Sequence, residues 1–408
     1  MNLILFSIFL NFSFEKYIKY NFQTKNSSPK IFPDSFIYND IYIEIPIGTP
    51  EQIIPLNIRL QSHITVITSE DCEKQSIKKF SYKSSSSFKT LKKTKMNFSG
   101  REYEKGFKVS DIIKIGENKI DNFEFLLVDS INYIQSGILG LKLKENHDSL
   151  VDMNFIHQLK RKKVISDYSF SLNYLNDEKG ELIIGEYPHI YNNNYLESNF
   201  VYMKSGVSGS LINWIIDFDN IFYSNSRIKG NKKVLLKIEF SFIIGSQEFF
   251  DIIKNEFFDK NNKCKLDNNK IYRYYICDND VDLSKFNIVS FGLKDIKYFF
   301  NFTEKDLFFE LNNKKYFQIL FNVNETINEW VFGKIFFRKN FLIFDSDRKL
   351  IGMYLNLNKS IFNKTFYNML IILFIIVIII LIIYILFYLK KTKFIRTKRG
   401  NELELLLE

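Results

Sequence analysis

Apolar and polar residues alternate over short runs along most of this chain, and the runs end at Gly, Asn, Asp or Ser. Alternation with period two, closed by turn formers, is the pattern of half-buried β-strands. Between residues 38 and 355 it predicts many short strands, among them 41–47, 106–115, 123–128, 181–184 and 341–344. Helical spacing is rare, and 150–160 and 247–258 carry it best. The polar patch 83–87, with 92–95, reads as an exposed loop. The expected fold class is all-β, or mainly β.

Two uninterrupted apolar runs break the alternation. Residues 3–14 have the length of a signal-peptide core, although no Lys or Arg precedes them, so 1–20 is a candidate signal peptide. Residues 369–389 carry no charge over about 21 positions, enough for a transmembrane helix. Lys390, Lys391, Lys393, Arg396, Lys398 and Arg399 follow, and the positive-inside rule places that end in the cytosol. The expectation is a single-pass type I membrane protein with its bulk lumenal or extracellular. A stalk at 356–368 and a cytosolic tail at 390–408 complete it. Sequons at Asn26, Asn97, Asn301, Asn324, Asn358 and Asn363 would make it a glycoprotein, though an Asn-rich chain also produces them by chance.

Composition changes this picture little. The 43 Phe and 23 Tyr fit an AT-rich coding bias, and aromatic residues suit strands. A net charge of +10 raises a nucleic-acid partner, but the cations are scattered and no binding motif interleaves them with aromatics. Cys264 and Cys277 bracket a short segment and are the candidate disulfide pair, which would leave Cys72 as a buried thiol. His63, His147, His157 and His189 lack metal-site spacing, and no Gly-rich phosphate loop occurs, so neither metal nor cofactor is expected. Ser62 and His63 are adjacent, but neighbours on a strand face opposite ways, which argues against a Ser–His dyad.

Five segments carry a family resemblance. They are Ile47-Gly48-Thr49-Pro50-Glu51-Gln52; Ser136-Gly137-Ile138-Leu139-Gly140-Leu141; Asp167 to Leu172 followed by Gly180 to Gly185; Trp214-Ile215-Ile216-Asp217-Phe218-Asp219; and Trp330 to Arg338 with Phe344-Asp345 and Ile351-Gly352. In this order and spacing the chain resembles the pepsin-like aspartic proteases (peptidase A1), plasmepsin-type members included. The resemblance implies two β lobes, here 38–200 and 201–355, with a peptide-binding cleft between them. It also implies a D-T-G or D-S-G loop from each lobe at the cleft floor. The chemistry of such enzymes needs two carboxylates that share a proton, one activating water and the other donating to the scissile carbonyl.

Both acids are replaced. Counted from Ile47, the first D-T-G-S position falls on Arg59-Leu60-Gln61-Ser62. The second falls on Lys237-Ile238-Glu239, followed by Phe240 and Ser241, and a slip of two residues would put Glu239 at the acid instead. The flap tip maps to Ser99-Gly100-Arg101-Glu102, with Tyr103 displaced from the usual tyrosine position. The cleft residues so implied are Arg59, Gln61, Ser62, Gly100, Lys237, Glu239 and Ser241. Arg59 and Lys237 are expected to splay toward solvent, pair with Glu239 or hold an anion, and losing the loop glycines speaks against easy repair. Asp217, Asp219 and Asp345 read as structural. The reading is a pseudoprotease that binds a peptide or protein, acidic by preference. The alternative is an active membrane-bound aspartic endopeptidase that uses displaced carboxylates such as Glu239.

Overall fold

The computed structural model describes residues 17–25, 40–73, 78–92, 96–97, 105–129, 137–143, 153–204, 207–208, 211–355, 371–386 and 388. The chain divides into two compact units, one built from Met1–Tyr191 with Val201–Met353, the other from Asn192–Phe200 with Tyr354–Glu408.

The first unit holds two large sheets. In one, Asp40–Ile47 and Gln52–Arg59 form an antiparallel hairpin. Its turn needs Gly48, whose φ of +85° is a conformation that side chains resist. Gln52–Arg59 then runs parallel to Gly137–Gly140. Lys105–Ile115 and Asn118–Val128 make a long hairpin beside them. Farther along, Ser169–Tyr174 pairs with Lys179–Ile184, and Leu342–Asp345 from near the end of the unit joins Ser169–Tyr174. In the other sheet, Ile215–Tyr223 and Ser226–Leu236 form the hairpin, and Trp330–Phe332 runs parallel to the second strand. Each sheet therefore contains a hairpin whose second strand pairs in parallel with a distant short strand.

The strand Gln52–Arg59 buries Ile54, Leu56 and Ile58 on one face, as period two demands. The core of the second sheet is largely aromatic. Phe332 has Phe336, Phe291 and Phe218 at ring-centre distances of 4.6, 4.9 and 5.6 Å. Whatever filled the coding sequence with Phe, the fold uses those rings as core volume in edge-to-face and tilted pairs.

The predicted strands form with shifted ends, for example Asp40–Ile47, Lys105–Ile115 and Leu342–Asp345. Phe155–Arg161 is helical, capped by the Asn154 side chain accepting from the His157 N–H; 150–152 lie outside the described residues. Gln247–Ile253 is an α-helix capped by Ser246 and continues as a π-turn, Lys254–Phe258. Three readings need correction. Ile18–Lys25 is a strand between Lys179–Ile184 and Asp40–Ile47, ahead of the expected lobe start at 38 and overlapping 1–20. The patch 83–87 is not simply an exposed loop: Ser85 is buried and donates to the buried Asp111 carboxylate at 2.8 Å. Ser62 and His63 stand in a loop, not a strand, and Ser62 Oγ donates to Ile64 O at 3.2 Å.

In the second unit, Leu355 N donates to Asn199 O at 2.9 Å, and the Tyr354 ring lies 4.8 Å from Tyr195 and 4.9 Å from Phe200. Residues 371–386 form a helix with exposed apolar side chains. No helix among the described residues is long and apolar enough to cross a membrane; the ends of the 369–389 run, all of 390–408 and residues 1–16 lie outside them.

Cys264 and Cys277 are bonded and face each other across an antiparallel strand pair, and Cys72 is a buried thiol. The two cysteines are 13 positions apart in sequence, so Cys264→Ser with Cys277→Ser should cost about 3 kcal/mol. Urea denaturation of the double variant against the parent measures this.

Candidate functional site

The end of Gln52–Arg59 makes the first loop station. Asn57 and Arg59 alternate away from the Ile54–Leu56–Ile58 face. Arg59 lies beside Gly140, and Leu141 N donates to Arg59 O at 2.8 Å. The chain then turns through Leu60, Gln61 and Ser62. A Cβ on Gly140 would lie 2.5 Å from Ile64 O and 2.6 Å from Ser62 O, so the loop backbone rests directly on that glycine.

The second station repeats the construction. Ser226–Leu236 ends beside Phe332, and Lys237 N donates to Phe332 O at 2.9 Å. Phe240 N closes a turn onto Lys237 O at 3.0 Å. A Cβ on Gly333 would lie 2.3 Å from both Phe240 O and Phe242 O. Ile58 pairs with Leu139 ahead of Gly140, and Leu236 pairs with Phe332 ahead of Gly333. In this repeat Lys237 corresponds to Arg59, and Glu239 to Gln61.

Two hydrogen bonds bring the stations together. Gln61 Nε2 donates to Leu236 O at 3.1 Å, the carbonyl just before Lys237. Trp214 Nε1 donates to Leu141 O at 2.8 Å from a fully buried ring. Leu60 and Ile238 are wholly buried and anchor the two turns. Neither Gln61 nor Glu239 has a positive φ, so these turns form without the glycines expected there.

The charged groups behave differently from the expectation. Arg59 is 4% exposed rather than splayed into solvent. Lys237 is half-buried, with Nζ 5.7 Å from the centre of the Phe240 ring. Glu239 is 7% exposed, its Oε2 has no hydrogen-bond partner, and it pairs with neither cation. Ser62 and Ser241 are half-buried in their loops. Gly100 and the rest of the flap tip, 99–103, lie outside the described residues; the hairpin below it pairs Met96 with Gly106. Asp345 accepts from the Tyr187 hydroxyl and from Arg348 N. Asp217 lies opposite Lys233, and Asp219 accepts from Asn220 Nδ2.

The sequence reading passed over Gln61 as a link between the stations, and over Lys334. A polar residue with an amide long enough to cross, at a position reserved for glycine, was the available signal for the first. Lys334 N donates to Phe240 O, which ties it to the second turn. Its Nζ lies 6.0 Å from the centre of the Tyr174 ring. Burial, then the nearby Arg338, push its pKa down to about 8, against weaker opposing effects of Asp177 and Glu178.

Two predictions follow from these groups. Gln in place of Glu239 supplies an N–H in the position where Gln61 already finds a carbonyl, and removes a buried carboxylate oxygen without a partner. Glu239→Gln should therefore raise stability by about 1–2 kcal/mol, seen as a higher urea midpoint at unchanged slope. Lys334 is protonated in both folded and unfolded states below about 8, where its burial costs stability, and that cost fades as pH rises toward the unfolded value of 10.5. Lys334→Met should stabilise by ~1–2 kcal/mol at neutral pH, discounted for partial solvent contact. The gain should vanish near the unfolded value, which a pH series of melts will show.

Among curated proteins none matches this chain significantly. The family model for eukaryotic aspartyl proteases matches residues 40–354. Since that match runs through both loop stations and covers more than half of the chain, this protein belongs to the eukaryotic aspartyl protease family.

Proposed function

We propose that this chain is a membrane-tethered pseudoprotease whose cleft holds an extended acidic peptide, or such a segment of a partner protein, without cutting it. One observation carries the reading: the two corresponding stations hold Arg59 and Lys237. Hydrolysis by this family's route needs an acid and its conjugate base side by side. An arginine can be neither, because its guanidinium does not lose its proton in a protein. Glu239 is the nearest substitute acid in sequence, and it bonds to no second carboxyl group among the described residues.

Two cations brought to the separation of the family's acid pair, about 5 Å, would repel by roughly 3 kcal/mol at an effective dielectric of 20. An anionic ligand relieves that repulsion, so the floor favours Asp, Glu or a chain terminus. Extended peptides bind such clefts through backbone hydrogen bonds, with side chains in alternating pockets. The tether rests on the uncharged run 369–389 and the basic residues after it. With the bulk in the lumen or outside the cell, Asn301 and Asn324 are exposed glycan acceptors, and Asn324 Oδ1 already accepts from the Thr326 hydroxyl at 2.8 Å.

Fluorescence anisotropy with matched acidic and basic peptides should show at least about tenfold tighter binding of the acidic set, worth ~1.4 kcal/mol. Arg59→Glu with Lys237→Glu should invert the order. Peptide cleavage at acidic pH that a pepstatin-type inhibitor blocks would establish the active endopeptidase instead.

A further inference from the structure

A close-packed interior leaves few voids larger than a water molecule. Beside the hairpin of Lys105–Ile115 and Asn118–Val128, the first sheet leaves a cavity of about 240 Å³. Phe107 and Leu127 stand opposite each other across that hairpin and line it, with Val109 two residues beyond Phe107. Val109 and Leu127 are buried, whereas Phe107 is half-buried. The rings of Tyr82 and Phe88, 5.1 Å apart and both half-buried, form a further wall. Three aromatic side chains thus border a space instead of filling it. No residue of either loop station lines it among the described residues.

The charge of the lining runs against that of the chain. The protein carries a net charge of +10, yet the charged groups on the cavity wall among the described residues are two carboxylates, Asp71 and Asp129. The Asp71 side chain is 47% exposed and marks the side open to solvent. Its Oδ2 accepts from the Tyr82 hydroxyl at 2.9 Å, and its Oδ1 accepts from Lys83 Nζ at 2.9 Å. The bond from Lys83, then that from Tyr82, holds this carboxyl below its usual range, so it is ionised at neutral pH. A carboxylate has about four acceptor sites, which leaves it room for a further donor. Aromatic ring faces attract cations as well, so walls and rim favour the same guest.

We propose that this cavity binds a small organic cation, a single aromatic ring that carries a primary ammonium on a short chain. An apolar cavity of roughly 150 Å³ holds a benzene ring, so this one has space for a ring and its short chain. The ring packs against Phe88, Phe107 and Leu127, and the ammonium donates to Asp71 and Asp129. Lys83, with a side chain 62% exposed, competes for Asp71 and repels the guest. This proposal is independent of what the cleft binds.

The test is isothermal titration calorimetry of the intact chain at neutral pH with three probes of similar size: phenethylamine, phenethyl alcohol and hydrocinnamate. The amine should bind at least about tenfold tighter than the alcohol, and the carboxylate should bind weakest. Asp71→Asn with Asp129→Asn should abolish that preference. Lys83→Met, at an exposed position, should tighten binding of the amine and leave that of the alcohol unchanged. Absence of amine binding, equal affinity for amine and alcohol, a preference for hydrocinnamate, or a preference that survives the double variant overturns the proposal. The ranking on the parent chain and the Lys83→Met result decide the matter even where the double variant folds poorly.

Discussion

Both loop stations depend on one contact, loop backbone lying against a bare α-carbon. Ser62 O and Ile64 O lie where a side chain on Gly140 would begin, and Phe240 O and Phe242 O do the same at Gly333. Close packing leaves no slack for a methyl group at either point, so a neighbour or the loop itself would have to move. The parallel strands that end at Gly140 and just before Gly333 are thereby locked in register to the strands that end at Arg59 and Leu236. Loop shape is thus fixed from behind, by a glycine from a distant segment. That accounts for turns that persist with Gln61 and Glu239 in place of flexible residues.

The same rigidity explains how the charges can sit where they do. Arg59 sits at low exposure at the end of a strand held in register with Gly140. Glu239 keeps an oxygen without a partner because its turn is set by Phe240 N on Lys237 O, not by its own carboxylate. A scaffold over-determined in this way tolerates groups that are locally unfavourable, a frequent condition at functional sites. Across the two stations, Gln61 and Trp214 turn polar side chains into links between the sheets. The floor thus combines a stiff frame with an unusual charge set.

Much of this was legible in the chain. The alternation at 41–47 and 106–115 marked strands because alternate positions there are the more deeply buried, while the apolar run 341–344 marked one that is buried throughout, Leu342–Asp345. Helical spacing marked 247–258 and 150–160, and the structure adds the caps, Ser246 and Asn154, that begin the helices there. The strand Ile18–Lys25 alternates Ile18, Tyr20 and Phe22 with polar residues, but it overlaps the candidate signal peptide 1–20 and its partners, Lys179–Ile184 and Asp40–Ile47, are distant or separated by a long connection. Ser85 looked like loop polarity until Asp111 came to meet it across the sheet.

Residue order alone determined which side chains stand at the two corresponding stations, since motif spacing counts along the chain and needs no coordinates. It also determined the strand-rich class and offered Cys264 and Cys277 as the candidate pair, both of which rest on local pattern. Tertiary structure decided what those side chains experience: Arg59 enclosed, Lys237 over a phenyl ring, Glu239 with Oε2 unpartnered, Lys334 half-buried over the Tyr174 ring. Burial and pairing are properties of atoms brought together from positions such as 61 and 236, or 177 and 338. No periodicity in a linear chain encodes a contact over such separations, because it forms only when the sheets close.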